Sequence, residues 1–99
     1  MTDNVEVVDA PDLGRFEIHV DGVLAGFAEY VLPDAGHVDF VHTEIGDAYA
    51  GQGLAGRLAA AALTAVRASG RRAIPHCPFI AGYIRKHPEY EDITDWPTH

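Results

Sequence analysis

Cys77, the chain's one cysteine, stands in Ile74-Pro75-His76-Cys77-Pro78-Phe79, between two prolines that fix the backbone around it. A thiolate there can act as a covalent nucleophile, and a thiol can protonate a leaving group. Earlier in the chain, His42 and Glu44 lie two apart in His42-Thr43-Glu44-Ile45, which puts both on one face of a regular strand. Either can take a proton, the imidazole with an ordinary pKa of about 6.5 being better poised than a carboxyl of about 4.3. If their strands are neighbours, His42 and Cys77 form a nucleophile and base pair, while His76 points to the other face. The structural alternatives are a core histidine bonded to backbone, a carboxylate at a loop edge and a buried packing cysteine, free cysteines being among the most buried residues.

A different chemistry is suggested by Gly51-Gln52-Gly53-Leu54-Ala55-Gly56. Glycines between a strand and a helix let backbone amides approach an anion, and the helix N-terminus adds partial positive charge. No Gly-Lys-Ser/Thr follows, so this is not a Walker loop, and the loop by itself is weak evidence for a nucleotide site. A flexible strand-to-helix connection is the plain alternative. Arg57, in the first turn beyond, is the best side-chain candidate for an anion contact.

The charges sharpen that reading. Fifteen acidic against seven basic side chains leave a net charge of -8, which opposes nucleic-acid binding by bulk electrostatics. Residues 48–88 nevertheless hold six basic side chains and no acidic ones, whereas residues 1–47 hold eleven acids and one base. A small polyanion is drawn to such an island, unless the island only complements acidic segments within the fold. The six histidines show no His-x-x-x-His spacing, and there is no Cys-x-x-Cys, so no metal is expected. One cysteine forms no internal disulfide. Neither a signal-type apolar segment nor a membrane-length run appears, so the expected location is the cytoplasm.

Positioning these groups requires an α+β fold, mainly an antiparallel sheet with two helices and a strand after the glycine loop. At 99 residues the chain is expected to form one domain, residues 1–99. Val5–Val8 is a short apolar run. Strands are expected over Arg15–Val20, Val23–Val31 and His37–Ile45, the first two joined by the hairpin signal Asp21-Gly22. Regular alternation puts Val38, Phe40 and His42 on one face. A helix from Leu54 to Ser69 has Leu54, Leu58, Ala61, Ala62 and Ala65 as its apolar stripe, with Gly70 beyond its end. Ala73–Cys77 reads as a short strand, which can lie parallel to His37–Ile45, and Phe79 to about Lys86 as a second helix.

Tyr49-Ala50-Gly51-Gln52-Gly53-Leu54-Ala55 resembles the acetyl-CoA pyrophosphate loop of the GNAT superfamily of N-acetyltransferases, whose pattern is Arg/Gln-x-x-Gly-x-Gly/Ala. Gly53 and Ala55 match its last two fixed positions, and Ala50 stands where the pattern has Arg or Gln. His42-Thr43-Glu44-Ile45, the stretch around Cys77, and Glu89-Tyr90-Glu91-Asp92-Ile93 are similar to a small stand-alone GNAT-like subgroup of about a hundred residues, with His76 in place of its usual Leu. The likeness covers residues 15–93.

The resemblance implies a compact, truncated GNAT-like fold that binds acetyl-CoA as cosubstrate and passes the acetyl group to an unknown amine or lysine-bearing acceptor. On that reading Gly51, Gln52, Gly53, Leu54, Ala55, Gly56 and Arg57 bind the cofactor. The backbone amide of Ile45 faces the thioester carbonyl. Cys77, His42 and Glu44 serve the transfer, and Tyr90, or in its place Tyr83, donates a proton to the departing thiolate. Arg67 reads as a solvated helix face; Arg71 and Arg72 either reach the adenosine or cap helix carbonyls. Two other classes fit the residues: a non-catalytic acyl-CoA or protein-binding module with a degenerate acceptor site, and a redox or acyl-carrier thiol protein built on Cys77. No nucleic-acid or membrane partner is expected, and the oligomeric state is left open.

Overall fold

A computed structural model describes residues 4–97. Alternation of apolar and polar side chains produces four antiparallel strands, β1 (Val5–Ala10), β2 (Arg15–Val20), β3 (Val23–Val31) and β4 (His37–Ile45). In β2 the pattern is plain: Phe16, Ile18 and Val20 are buried while Arg15, Glu17 and His19 lie on the other face. β1 runs two residues beyond the expected apolar stretch because its ladder with β2 continues to the pair Ala10↔Arg15. Only the 3-10 turn Pro11–Leu13 separates β1 from β2, so no helix intervenes there.

Helix α1 (Leu54–Ala68) covers the inner face of the sheet, with Gly70 beyond it in the left-handed region. Its buried stripe is Leu54, Leu58, Ala59, Ala62, Leu63 and Val66, so the expectation of Ala61 and Ala65 on that face is corrected. Leu63 and Val66 remove far more apolar area from water than two alanines would, and they set the rotation of the helix. β5 (Arg72–Pro75) joins the sheet parallel to β4, giving the order β1-β2-β3-β4-β5. Helix α2 (Pro78–Lys86) follows, with proline in its first turn, where a missing N–H costs nothing. The core centres on Phe40, fully buried, with the rings of Phe16 and Tyr30 at 6.1 and 6.4 Å.

One departure from regularity governs the site. β3 pairs Glu29 with His42 but Tyr30 with Phe40, so Val41 is an extra residue in β4. Such a bulge exchanges the faces of everything beyond it. Val38 and Phe40 are buried as expected, but His42 is turned outward and its side chain is 52% exposed, which corrects its expected place beside them.

The C-terminal stretch, which carries no strand or helix pattern in sequence, is also ordered. After the 3-10 segment Pro88–Ile93, Thr94 bridges to Ala73 along β5. Asp95 accepts two bonds from Arg72, at 2.8 and 2.9 Å, and one from His37 Nε2 at 2.8 Å. Hydrogen bonds from Arg72 and then His37 hold the Asp95 carboxyl down at about 2, while bonds to Asp34 and then Asp95 raise His37 above its ordinary 6.5. The His37 contribution to stability is therefore complete below about pH 6.5 and lost as pH rises through its folded-state value. The Asp95 contribution is present above about 3.8 and lost as pH falls toward 2. The melting temperature is expected to fall between pH 6 and 9, and a His37→Gln variant to flatten that slope in thermal scans.

Candidate active site

Two prolines build a fork between β4 and β5. The strands pair from His37↔Arg72 to Phe40↔Pro75, and a last bond runs from the Cys77 amide to the Phe40 carbonyl at 2.7 Å. Pro75 has no N–H to extend the ladder, and Pro78 starts α2. β4 continues to Ile45 without a strand on that side. Gly46 donates to the Ala25 carbonyl on β3 at 2.8 Å, so alternation turns the Ile45 amide away from β3 and toward the fork.

Beside the fork lies the glycine loop. The chain passes through the 3-10 turn Asp47–Tyr49, then Gly51 and Gly53 adopt φ of 80° and 74°. Glycine enters this left-handed region without the steric cost borne by other residues. No protein atom lies within 4 Å of where a Cβ would stand on either residue, so the loop is open to a ligand. Gly53 is the N-cap of α1, no side chain caps the first turn, and that turn contains no acid. The amides of Leu54, Ala55 and Gly56 thus precede the first helical bond, from Arg57 N to Gly53 O. Leu54 is buried and anchors the turn, Gln52 and Arg57 are exposed, and Gly56 lies against Tyr83 of α2.

The fork holds Cys77, which is 3% exposed and caps the start of α2. Its sulfur lies 3.4 Å from the Thr43 hydroxyl, an interaction that alternation from Phe40 would have assigned to His42. The expected His42–Cys77 pair is absent because the Val41 bulge shifts the faces by one residue; with no sequence mark for the bulge, Thr43 escapes a reading of residue types. His42 and Glu44 do come together, at 3.2 Å on the outer face, with the ring of Phe27 6.2 Å from the imidazole. His76 turns to Asp39 at 2.7 Å. Tyr90 is not brought to the fork: its hydroxyl is 3.4 Å from Thr64, ten residues and roughly 15 Å along α1 from Leu54. Tyr83, packed on Gly56, is nearer to the loop, and its hydroxyl is pushed up by burial and then by Tyr90 and Glu89, which keeps it protonated.

The family model for GCN5-related N-acetyl-transferases matches residues 15–93. The chain belongs to this family. In fold it is similar to the solution NMR structure of a GCN5-like protein from Staphylococcus aureus, with a TM-score of 0.71, 23% identity, and coverage of 97% of this chain and 93% of that one. No curated protein matches the chain. The structural likeness agrees with the α+β fold inferred from the pattern of elements.

The basic island of this GCN5-related domain is mostly spent within the fold. Arg67 donates to Asp92 and to the Glu89 carbonyl, over the ring of Tyr90. Arg71 bonds the Ala35 carbonyl, Arg72 grips Asp95, and Arg85 lies 4.8 Å from the centre of the Trp96 ring. Arg67 is therefore more than a solvated helix face, and Arg72 is engaged by the C-terminal segment. Among the described residues, Arg57 and Lys86 have neither a carboxylate in ion-pair reach nor an aromatic partner. A concavity of about 670 Å³ between β1 and α1 includes Arg57 but otherwise only Val5, Val7, alanines and Thr64. No cysteine, histidine or carboxylate lines it. No helix among the described residues is long and apolar enough to cross a membrane.

Proposed function

We propose that this protein is an acetyl-CoA-dependent N-acetyltransferase, with the pyrophosphate of the cosubstrate at the N-terminus of α1 and its thioester in the β4/β5 fork. The observation that carries this reading is the open, uncapped start of α1 beside the fork, with no acid in its first turn. An anion at a helix N-terminus gains roughly 0.3–2 kcal/mol from the dipole, and direct amide bonds add to that. Gly51, Gln52, Gly53, Leu54, Ala55 and Gly56 supply those amides, and Arg57 adds a charge. This backbone-based binding tolerates Ala50 in place of Arg or Gln. The Ile45 amide donates to the developing oxyanion.

Cys77 is the acyl acceptor in this reading. Its sulfur bonds to the acetyl carbon, the carbon–sulfur bond to CoA breaks, and the thiol proton ends on the CoA sulfur, with Tyr83 as the nearby protonated relay. The acceptor amine then attacks the acyl-cysteine. Its nitrogen gains the acetyl group and its surplus proton returns to the Cys77 sulfur. His42 and Glu44, on the outer face, take the proton that an acceptor ammonium must first lose. An acidic surface favours a cationic acceptor, an amine or a lysine side chain.

Incubation with acetyl-CoA is expected to leave one acetyl group on the protein by intact mass, and Cys77→Ala to abolish it while retaining acetyl-CoA affinity within about threefold in calorimetry. An unlabelled protein that still acetylates amines would replace the covalent route by direct transfer. A non-catalytic acyl-CoA-binding module is the second reading, favoured by the single short turn between β1 and β2, where no helix is present to wall an acceptor. Absence of acetyl-CoA binding would sink both.

A further inference from the structure

We propose that the groove between β1 and α1 receives an extended segment of a basic partner protein, which adds a strand to the open edge of β1 and lays its apolar side chains against α1. β1 is the first strand of the sheet and pairs with β2 alone. The Asn4 carbonyl accepts from the Asp21 amide at 2.8 Å, so alternation gives Glu6 and Val8 to β2 and turns the amides and carbonyls of Val5, Val7 and Asp9 outward. Among the described residues no backbone group pairs with them. A strand edge of this kind is a template for another chain unless charge, proline or a bulge blunts it. β1 has no proline and no shift of register against β2, and both its charges, Glu6 and Asp9, are acidic.

The residues with the open backbone groups also form the floor of the groove, where Val5 and Val7 are half-buried. Its wall is a face of α1 that includes Ala61, Thr64, Ala65 and Ala68, at helical spacing. Ala61 and Ala65 thus widen the apolar arc of the helix beyond its buried stripe. Helix propensity accounts for alanine on a surface, but not for a trough of about 670 Å³ beside an unpaired strand. Its wall, from Arg57 to Ala68, is about 16 Å long at 1.5 Å per residue, the span of about five extended residues. In strand addition, main-chain bonds supply affinity and pockets for alternate side chains supply specificity.

Charge and volume choose the occupant. A second copy would bring Glu6 and Asp9 of both chains to one seam, between bodies that each carry a net charge of -8. It would also offer the groove only two valines and the Asp9 carboxylate, which already accepts from the Tyr30 hydroxyl at 2.6 Å. A foreign segment with isoleucine or leucine at its inward positions fills more of the trough. Lysine or arginine at its outward positions meets Glu6, which is exposed and has no ion-pair partner among the described residues. Arg57, at the end nearest the glycine loop, is left to the anion there.

The probe is a capped heptapeptide alternating lysine and isoleucine, titrated into the full isotope-labelled chain below the concentration at which the peptide self-associates. Amide shifts are expected to concentrate on residues 5–9 and 60–68. Affinity should exceed that for a glutamate-for-lysine twin by about tenfold, a gap that closes as salt is added, and that for an alanine-for-isoleucine twin by about as much. Methylating the peptide nitrogens of every isoleucine, or of every lysine, removes donors along one edge only; one version should lose about tenfold or more and the other keep its affinity. Ala65→Arg, at an exposed position, should weaken the peptide about tenfold without lowering the melting temperature. Shifts centred elsewhere, equal effects of the two methylations, or full affinity in Ala65→Arg would overturn the proposal. So would a dimer in sedimentation that the peptide fails to disperse, which would give the edge to a second copy.

Discussion

Replacing Gly53 by valine is expected to weaken acetyl-CoA binding between about tenfold and a hundredfold. Gly53 holds φ of 74° as the N-cap of α1. A residue with a side chain pays roughly 1–3 kcal/mol to remain in that region, a β-branched one at the high end. The unliganded loop escapes the cost by relaxing, because nothing packs against Gly53. Binding must restore the cradle and so bears the whole penalty, at tenfold per 1.4 kcal/mol. The melting temperature should move by only a few degrees. Calorimetric affinity equal to that of the unmodified protein would show that the loop amides do not hold the anion.

The second large effect concerns the fold. Phe40→Ala should cost about 3–5 kcal/mol of stability, from lost transfer energy and the cavity left behind. Domains of this kind have roughly 5–15 kcal/mol in total, so the variant would stand close to unfolding at 37 °C. Phe40 is fully buried against Phe16 and Tyr30, and its carbonyl accepts the bond from Cys77 that closes the fork. A solvent-filled or collapsed site there should loosen the position of the thiol as well. Urea titration measures the first effect, and the rate of Cys77 alkylation below the unfolding transition measures the second. A loss under 1 kcal/mol would mean that the core is not organised around this ring.

The parts of the fold most legible in sequence were those set by periodicity and turn chemistry: β2 and β3 around Asp21-Gly22, α1 between its glycines, and α2 between its prolines. Even the parallel course of β5 beside β4 followed from the helix that separates them. The glycine loop was legible because its backbone conformation limits residue type. The catalytic candidates were harder. His42 and Glu44 were correctly seen as companions, since a spacing of two survives beyond the bulge, but their side of the sheet depends on the bulge at Val41, which no residue type announces. Thr43 was missed for the same reason. Tyr90 carries the right group in a recognisable stretch, yet its direction depends on how the segment Pro88–Ile93 lies against α1, a long-range matter. The basic island was real as a stretch of sequence, but four of its six cations satisfy groups distant in the chain, and only the folded arrangement distinguishes Arg57 and Lys86.

The extra residue in β4 makes the strand a partition. Up to Phe40, even-numbered side chains belong to the interior; from His42 onward they belong to the outside, and Thr43 has taken the inner position. Parity along the chain thus changes meaning within one strand. A related chain with the same number of residues in β4 that paired without the bulge would carry the histidine of its His-Thr-acid stretch on the thiol's side. Aligning the two letter by letter would equate groups that face opposite compartments, so comparison across β4 must first establish whether each chain carries the bulge.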